Sequence, residues 1–166
     1  MNYSQRLQNL VLHFQTELNR IPQDEFSAKA HPAKWSKKEI VGHLCDSAAN
    51  NYIRFVKIAL SDYPIPLEGY DQDRWVELND YHNSYDPYDV IQLWINRNVQ
   101  IATVLAQIPE EDYTKEGILP SGESATLDWL AADYIEHMIH HFRQIIGNER
   151  IETMINQSKK SKVEHR

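Results

Sequence analysis

Apolar residues recur every three or four positions in four separate stretches of this chain, which is the spacing of amphipathic helices. These stretches predict helices over Tyr3–Asn19, Ser36–Leu60, Asp86–Ile108 and Thr126–Gly147. No stretch alternates apolar and polar residues for long enough to predict a convincing strand. The pattern therefore predicts an all-α protein that forms one four-helix bundle.

Start signals support the second and third predicted helices. Ser36 is suited to be an N-cap, and Glu39, three residues later, completes the sequence of a capping box. Asp86 followed by Pro87 is typical of the start of a helix. An alternative role for Glu39 is to hold the ring of a neighbouring histidine by its free N–H, but capping is the preferred interpretation.

Histidines on two of these helices form the most informative pattern in the chain. His137 and His141 are four residues apart and share one face of the fourth helix, while His43 lies on the second. Imidazole is a common protein ligand for zinc, nickel and iron. Three imidazoles leave coordination positions open for water and substrate, which indicates a catalytic metal site. The alternatives at this point are a hydrogen-bonded pair in the core and a pair on the surface.

If the three histidines meet, their positions along the helices determine part of the topology. His43 lies near the start of the second helix and His141 near the end of the fourth, so these helices are predicted to be antiparallel. The connection from Leu60 to Asp86 is about 25 residues long, whereas roughly 2 to 8 residues usually join neighbouring bundle helices. A long connection can return along the second helix. The second and third helices are then parallel, and the bundle is up-down-down-up with a long crossover between them.

Polar residues near the histidines supply further candidates. Asp46, Asn50 and Arg54 lie on the second helix and could orient a substrate, although the same residues fit ordinary polar and ion-pair positions. Asp133, one turn before His137, is a candidate partner for the ring of that histidine.

Two other residues near the ligands receive no catalytic role. His140 is about 100° around the helix from His141, which favours an exposed position or the rim of the site. Cys45 is two residues from His43 and is interpreted as a small buried hydrophobic residue.

Composition and charge narrow the classes of function. The 166 residues suffice for one domain, predicted over residues 1–150 with a polar tail over 151–166. A net charge of −7 disfavours nucleic-acid binding. No apolar run reaches the ~18 residues of a membrane span. One cysteine, and an N-terminus without the pattern of a secretory signal, favour the cytoplasm.

Three segments of the chain resemble the DinB-like superfamily. The segment WSKKEIVGHL (35–44), with the polar residues that follow it as far as Phe55, is similar to the second helix of that family. The segment EHMIHHFRQI (136–145) is similar to its last helix. The segment GYDQDRWVEL (69–78) resembles the branch of metal-dependent hydrolases that includes bacillithiol S-transferases.

The resemblance implies an up-down-down-up bundle that holds a divalent metal, nickel or zinc, through His43, His137 and His141. It also implies a small-molecule substrate, with a low-molecular-weight thiol as one candidate, and a homodimer. Two positions depart from the family pattern. Arg143 stands where many members have glycine, and Gln144 stands where the thiol-transferase branch often has a further histidine. Both departures concern the substrate chemistry and leave the ligands intact.

Two classes of function follow from these observations. In the first, the histidines hold a metal that serves thiol transfer or the hydrolysis of a small substrate. In the second, the metal stabilises a stress-response or partner-binding module that has no turnover. A third, weaker hypothesis is a metal-free helical protein in which the histidines only pack. A site that keeps a water favours the first class over the second.

Overall fold

The computed structural model describes residues 2–153, and the secondary structure of that part is mainly helical. The helices are α1 (Tyr3–Leu18), α2 (Gln23–Ser27), α3 (Lys37–Ala59), α4 (Gln72–Asn79), α5 (Tyr81–Ser84), α6 (Pro87–Gln107) and α7 (Leu127–Ile146), with a 3₁₀ helix over Glu110–Thr114. Three short strands are β1 (Ile65–Pro66), β2 (Glu116–Ile118) and β3 (Ser124–Thr126). Residues 148–153 are also helical.

The four long helices α1, α3, α6 and α7 form the bundle and agree with the four predicted helices to within one or two residues at each end. Their starts depend on side-chain caps: Ser36, Asp86 and Thr126 each accept a hydrogen bond from a backbone N–H in the first turn. The capping box at α3 is complete, because the carboxylate of Glu39 also accepts from the backbone N–H of Ser36 at 2.7 Å. The capping role of Glu39 is therefore confirmed.

Contacts between helix ends establish the up-down-down-up order. The Tyr3 hydroxyl at the start of α1 donates to Asp128 at the start of α7 (2.8 Å), so α1 and α7 are parallel. The Cys45 thiol in the first half of α3 lies 3.8 Å from the Val90 carbonyl in the first turn of α6, so α3 and α6 are parallel as well. The rings of His43, near the start of α3, and His141, near the end of α7, have centroids 4.7 Å apart, so these two helices are antiparallel. The predicted topology is confirmed, including the parallel pair joined by the long crossover.

An aromatic cluster fills the core between α1, α6 and α7. The rings of Phe14 and Phe142 stack with centroids 3.7 Å apart, and Trp94 packs against Phe142 at 5.2 Å. All three are fully buried. Burial of each such side chain contributes on the order of 2 kcal/mol, so this part of α7 is firmly held next to the histidine positions.

The long connection returns along α3 and packs on its first half. The Tyr81 ring lies so close to Gly42 that a Cβ at that position would be 2.2 Å from a ring carbon. The buried ammonium of Lys38 donates to the carbonyls of His82 and Tyr85 at 2.7 and 3.1 Å. Glycine at position 42 therefore permits close approach of α5 to the helix that carries His43.

The three strands are a feature that the sequence did not predict. β1 pairs with β2 in parallel and β2 pairs with β3 in antiparallel orientation, which connects the long crossover to the segment before α7. Each strand has only two or three residues, too few for an alternating pattern to be recognised.

None of the helices between residues 2 and 153 combines the length and apolarity needed to cross a membrane. The predicted tail begins at residue 151, where the side chain of Ile151 is buried. Residues 154–166 of that tail lie outside the described residues.

Candidate metal centre

The structure brings the three predicted histidines together between α3 and α7. The Nε2 atom of His137 lies 3.3 Å from Nε2 of His43 and 3.1 Å from Nε2 of His141. His43 reaches the cluster from the second turn of α3, and the i, i+4 pair approaches from the antiparallel α7. The Trp35 ring packs on the other side of His43, with centroids 5.0 Å apart.

The three imidazoles are held in the neutral state. His43 is fully buried, whereas His137 and His141 keep partial exposure. Burial, and secondarily the neighbouring imidazoles, lowers the pKa of His43 to about 3 and that of His137 to about 4. Burial also lowers the pKa of His141. Neutral imidazoles have the free lone pair that a metal ligand needs.

The second ring nitrogen of each histidine has a different environment. Nδ1 of His141 lies 3.0 Å from the side-chain oxygen of Gln144, which can only accept, so this nitrogen carries the proton. Nδ1 of His137 faces the Ser47 hydroxyl at a longer 3.5 Å. Nδ1 of His43 is buried and has no hydrogen-bond partner within residues 2–153.

The ring protons cannot satisfy all the contacts among these three rings, so the rings would benefit from a shared cation. Because His141 carries its proton on Nδ1, its Nε2 can only accept, and His137 must then donate from Nε2. The same single proton of His137 would also have to serve the contact with His43. One proton cannot form both hydrogen bonds well, so a cation that accepts all three lone pairs resolves the conflict.

The spacing of the nitrogens fits a metal. Imidazole nitrogens about 2.0–2.1 Å from one tetrahedral zinc are roughly 3.3 Å apart, close to the 3.1 and 3.3 Å found here. All three candidate ligand atoms lie within 4.8 Å of one another. In the described part of the chain, no fourth His, Cys, Asp or Glu joins this group. The cluster could therefore hold a metal and leave coordination positions open.

The three residues considered as substrate-orienting candidates have other contacts. Asp46 is buried and accepts hydrogen bonds from Tyr81 (2.7 Å) and Asn79 (3.0 Å), which anchor α4 and α5 to α3. The Asn50 amide donates to the backbone of its own helix at 2.9 Å. Arg54 donates to the Glu68 carbonyl in the long connection at 2.5 Å. Their contacts support the fold of the site wall, and their role in orienting a substrate stays a prediction.

Asp133, Cys45 and His140 also have defined positions. Among the described residues, Asp133 forms no hydrogen bond with His137, whose Nδ1 faces Ser47 instead. Cys45 is fully buried, and burial raises the pKa of its thiol. His140 is exposed, in agreement with the predicted position outside the cluster.

Sequence reasoning did not assign roles to two residues that contact the ligands, Ser47 and Gln144. Ser47 follows His43 by four residues on α3, and Gln144 follows His141 by three on α7, so both share a helix face with a ligand. These spacings could have indicated from the sequence that both side chains lie beside the histidines. Burial raises the pKa of the Tyr70 phenol to about 12.

Comparison with known proteins identifies related chains. The family model of the DinB superfamily matches residues 5–145. A Bacillus licheniformis protein named "Putative metal-dependent hydrolase" is 30% identical over 117 residues, which are 70% of this chain and 65% of that protein. The Bacillus subtilis protein "Putative metal-dependent hydrolase YfiT" is 29% identical over 112 residues, 67% of this chain and 62% of YfiT. The chain therefore matches slightly less than two thirds of the length of these two relatives.

Solved structures share the fold. The YfiT structure, described as having an unusual four-helix bundle topology, superposes with a TM-score of 0.76 at 22% identity and covers 93% of this chain and 86% of YfiT. A mycothiol-dependent maleylpyruvate isomerase superposes with a TM-score of 0.65 at 12% identity, over 84% of this chain and 58% of the isomerase. At these identities the likeness shows the fold alone.

Proposed function

Because this chain belongs to the DinB superfamily, we propose that it is a metal-dependent enzyme in which His43, His137 and His141 hold one divalent metal for hydrolysis of a small substrate. The observation that carries the proposal is the convergence of three Nε2 atoms at 3.1 and 3.3 Å. A divalent metal bound there would supply Lewis acidity, which lowers the pKa of water or of a thiol towards neutrality. The names of the relatives support hydrolysis.

The chain's own residues present the ligands and shape access to them. Burial keeps His43 and His137 neutral, so no proton has to leave them near pH 7 before a metal binds. Trp35 covers His43 and excludes water from that side. His137 keeps partial exposure beside Ser47, so a substrate would approach there. The Ser47 hydroxyl is a neutral donor available to orient it.

Transfer of a low-molecular-weight thiol is the second candidate reaction. The mycothiol-dependent isomerase with the same fold favours it, since that protein depends on such a thiol. A metal that binds sulfur keeps a thiol in its thiolate form at neutral pH. A stress-response or partner-binding module without turnover is the non-catalytic alternative. Nickel or zinc as the metal, and a homodimer, stay predictions.

The first test is elemental analysis of untagged protein and of two single-residue variants. We expect about one divalent metal per chain in the wild type, and its loss in His137→Ala, which removes the central nitrogen of the cluster. His13→Ala is the control, because it removes an exposed imidazole that contacts the backbone of its own helix α1 and should keep the metal.

Full metal content in His137→Ala, or none in the wild type after incubation with nickel and zinc, would overturn the proposed centre. For protein that does hold metal, activity assays separate the alternatives. Turnover of ester or amide substrates supports hydrolysis, and consumption of a thiol with an electrophile supports transfer. Absence of both reactions across such panels would favour the non-catalytic alternative.

A further inference from the structure

We propose that Gln144 is a positioning residue for the metal centre, because it fixes the proton of His141 on Nδ1 and so leaves Nε2 free to bind. The inference rests on the proposed metal-binding function. It gives a role to one of the two positions at which this chain departs from the pattern of the family that it resembles.

The geometry gives the amide a defined direction. Its oxygen lies 3.0 Å from Nδ1 of His141, and its nitrogen lies 3.2 Å from Nε2 of His140. An amide oxygen can only accept and an amide NH₂ can only donate, so His141 donates from Nδ1 and His140 accepts at Nε2. One side chain thereby satisfies two neighbouring imidazoles with opposite roles.

The position of that proton decides whether His141 can bind a metal from the cluster side. A neutral imidazole has one N–H, and only the other nitrogen has a lone pair. If the proton moved to Nε2, the lone pair would point at Gln144 and away from His43 and His137. The hydrogen bond to Gln144 disfavours that tautomer, as acceptors behind a metal-binding histidine commonly do.

The other two ligands lack a comparable acceptor. The hydroxyl of Ser47, 3.5 Å from Nδ1 of His137, can donate or accept, so it does not define a tautomer. Nδ1 of His43 has no partner in the described part of the chain. Among the three rings, His141 is therefore the one whose proton position is defined by a neighbouring side chain.

Two substitutions at this position separate positioning from a merely structural role. Gln144→Met keeps the length of the side chain but removes the acceptor, whereas Gln144→Glu keeps an acceptor for Nδ1 of His141. Gln144 is exposed, so neither change should disturb the core. Gln100→Met, on the exposed face of α6, is the matched control for replacing a helical glutamine by methionine.

The first readout is the tautomer of His141 in metal-free protein, measured from imidazole ¹⁵N chemical shifts at neutral pH. We expect the Nδ1–H form in wild type, Gln144→Glu and Gln100→Met, and a mixture in Gln144→Met. The second readout is zinc affinity from competition with a chelator. We expect Gln144→Met to bind zinc about 10- to 100-fold more weakly, while Gln144→Glu and Gln100→Met stay close to wild type.

An unchanged tautomer in Gln144→Met, or an unchanged zinc affinity in that variant, would overturn the inference. A weakening of the same size in Gln144→Glu would also overturn it, because that variant retains the acceptor. A wild type that binds no zinc and no nickel would refute the proposed function instead. The tautomer comparison distinguishes the two failures, since it is made without metal.

Discussion

Burial has opposite effects on two residues of the same turn of α3. It lowers the pKa of His43 to about 3, because a charged imidazole would lose its hydration. It raises the pKa of Asp46 to about 6, because there the charged form is the carboxylate. At pH 7 the imidazole of His43 is therefore neutral, whereas the Asp46 carboxyl is still largely ionised and accepts hydrogen bonds from Asn79 and Tyr81.

At the residue scale we predict that metal-free protein is less stable at pH 5 than at pH 7. Unfolded histidines have a pKa of about 6.5 and take up protons in this range. Folded His43 and His137, with pKa values of about 3 and 4, do not. Because the unfolded state binds more protons, the free energy of unfolding falls as the pH drops below about 6.5. Urea unfolding at pH 5 and at pH 7, in the presence of a chelator, measures the two free energies of unfolding.

Protonation of Asp46 opposes the loss of stability at low pH, so a variant at this position gives a further test. Burial raises the pKa of folded Asp46 to about 6, above the ordinary value of an aspartate, so the folded state gains a proton first and is stabilised as the pH falls through that window. Asp46→Asn should therefore make the loss of stability between pH 7 and pH 5 steeper, whereas Asp24→Asn on the exposed α2 should not. Equal or higher wild-type stability at pH 5 would contradict the prediction.

At the scale of elements, the features that the sequence predicted are local ones. The four long helices follow from periodic apolar residues and from caps such as Ser36 and Thr126, which act within one turn. The strands were missed because pairs of two or three residues are determined by what lies opposite them. The packing of α4 and α5 on α3 was missed for the same reason, since it depends on the distant contact between Tyr81 and Gly42.

That contact gives a prediction for α3. Alanine within a helix is ordinarily favoured over glycine by about 1 kcal/mol, but a Cβ at position 42 would lie 2.2 to 2.8 Å from atoms of the Tyr81 ring. We expect Gly42→Ala to lower the free energy of unfolding by about 1–3 kcal/mol, as measured by chemical denaturation. Gly69→Ala is the control, because its Cβ would meet only Pro120, at 3.4 Å. A Gly42→Ala variant as stable as wild type would refute this account of the packing.

At the scale of the whole molecule, the arrangement of the helices was predictable because two independent constraints agreed. The positions of His43 and His141 required α3 and α7 to be antiparallel, and the length of the 60–86 connection allowed α3 and α6 to be parallel. That argument assumed that the three histidines meet, and the structure does bring them together. The orientation of the individual histidine rings could not be predicted from the sequence, because it depends on Ser47, Gln144 and Trp35, which come from three different segments.

A metal at this centre would join α3 to α7, so its binding should stabilise the entire bundle. A ligand at 100 times its dissociation constant adds about 2.7 kcal/mol to the free energy of unfolding. For a protein of this length that corresponds to roughly 5–10 °C in Tm. Thermal unfolding with zinc or nickel, and again with excess chelator, measures the difference. The His137→Ala variant should unfold at the same temperature with metal and with chelator. A wild type whose Tm is also the same under the two conditions would contradict the prediction.

The distance along the chain between the clustered histidines has a consequence for biosynthesis. His43 lies in the first third of the chain and His141 in its last fifth. A ribosome that adds 5 to 20 residues per second needs roughly 5 to 20 s to pass from one to the other. For nearly all of that time, until His137 is added, the nascent chain carries only one of the three clustered histidines, and the three-histidine site is incomplete until His141 is added. A metal bound by all three histidines would therefore be acquired only after His141 has been added, and the metal available at that moment would determine which ion is bound.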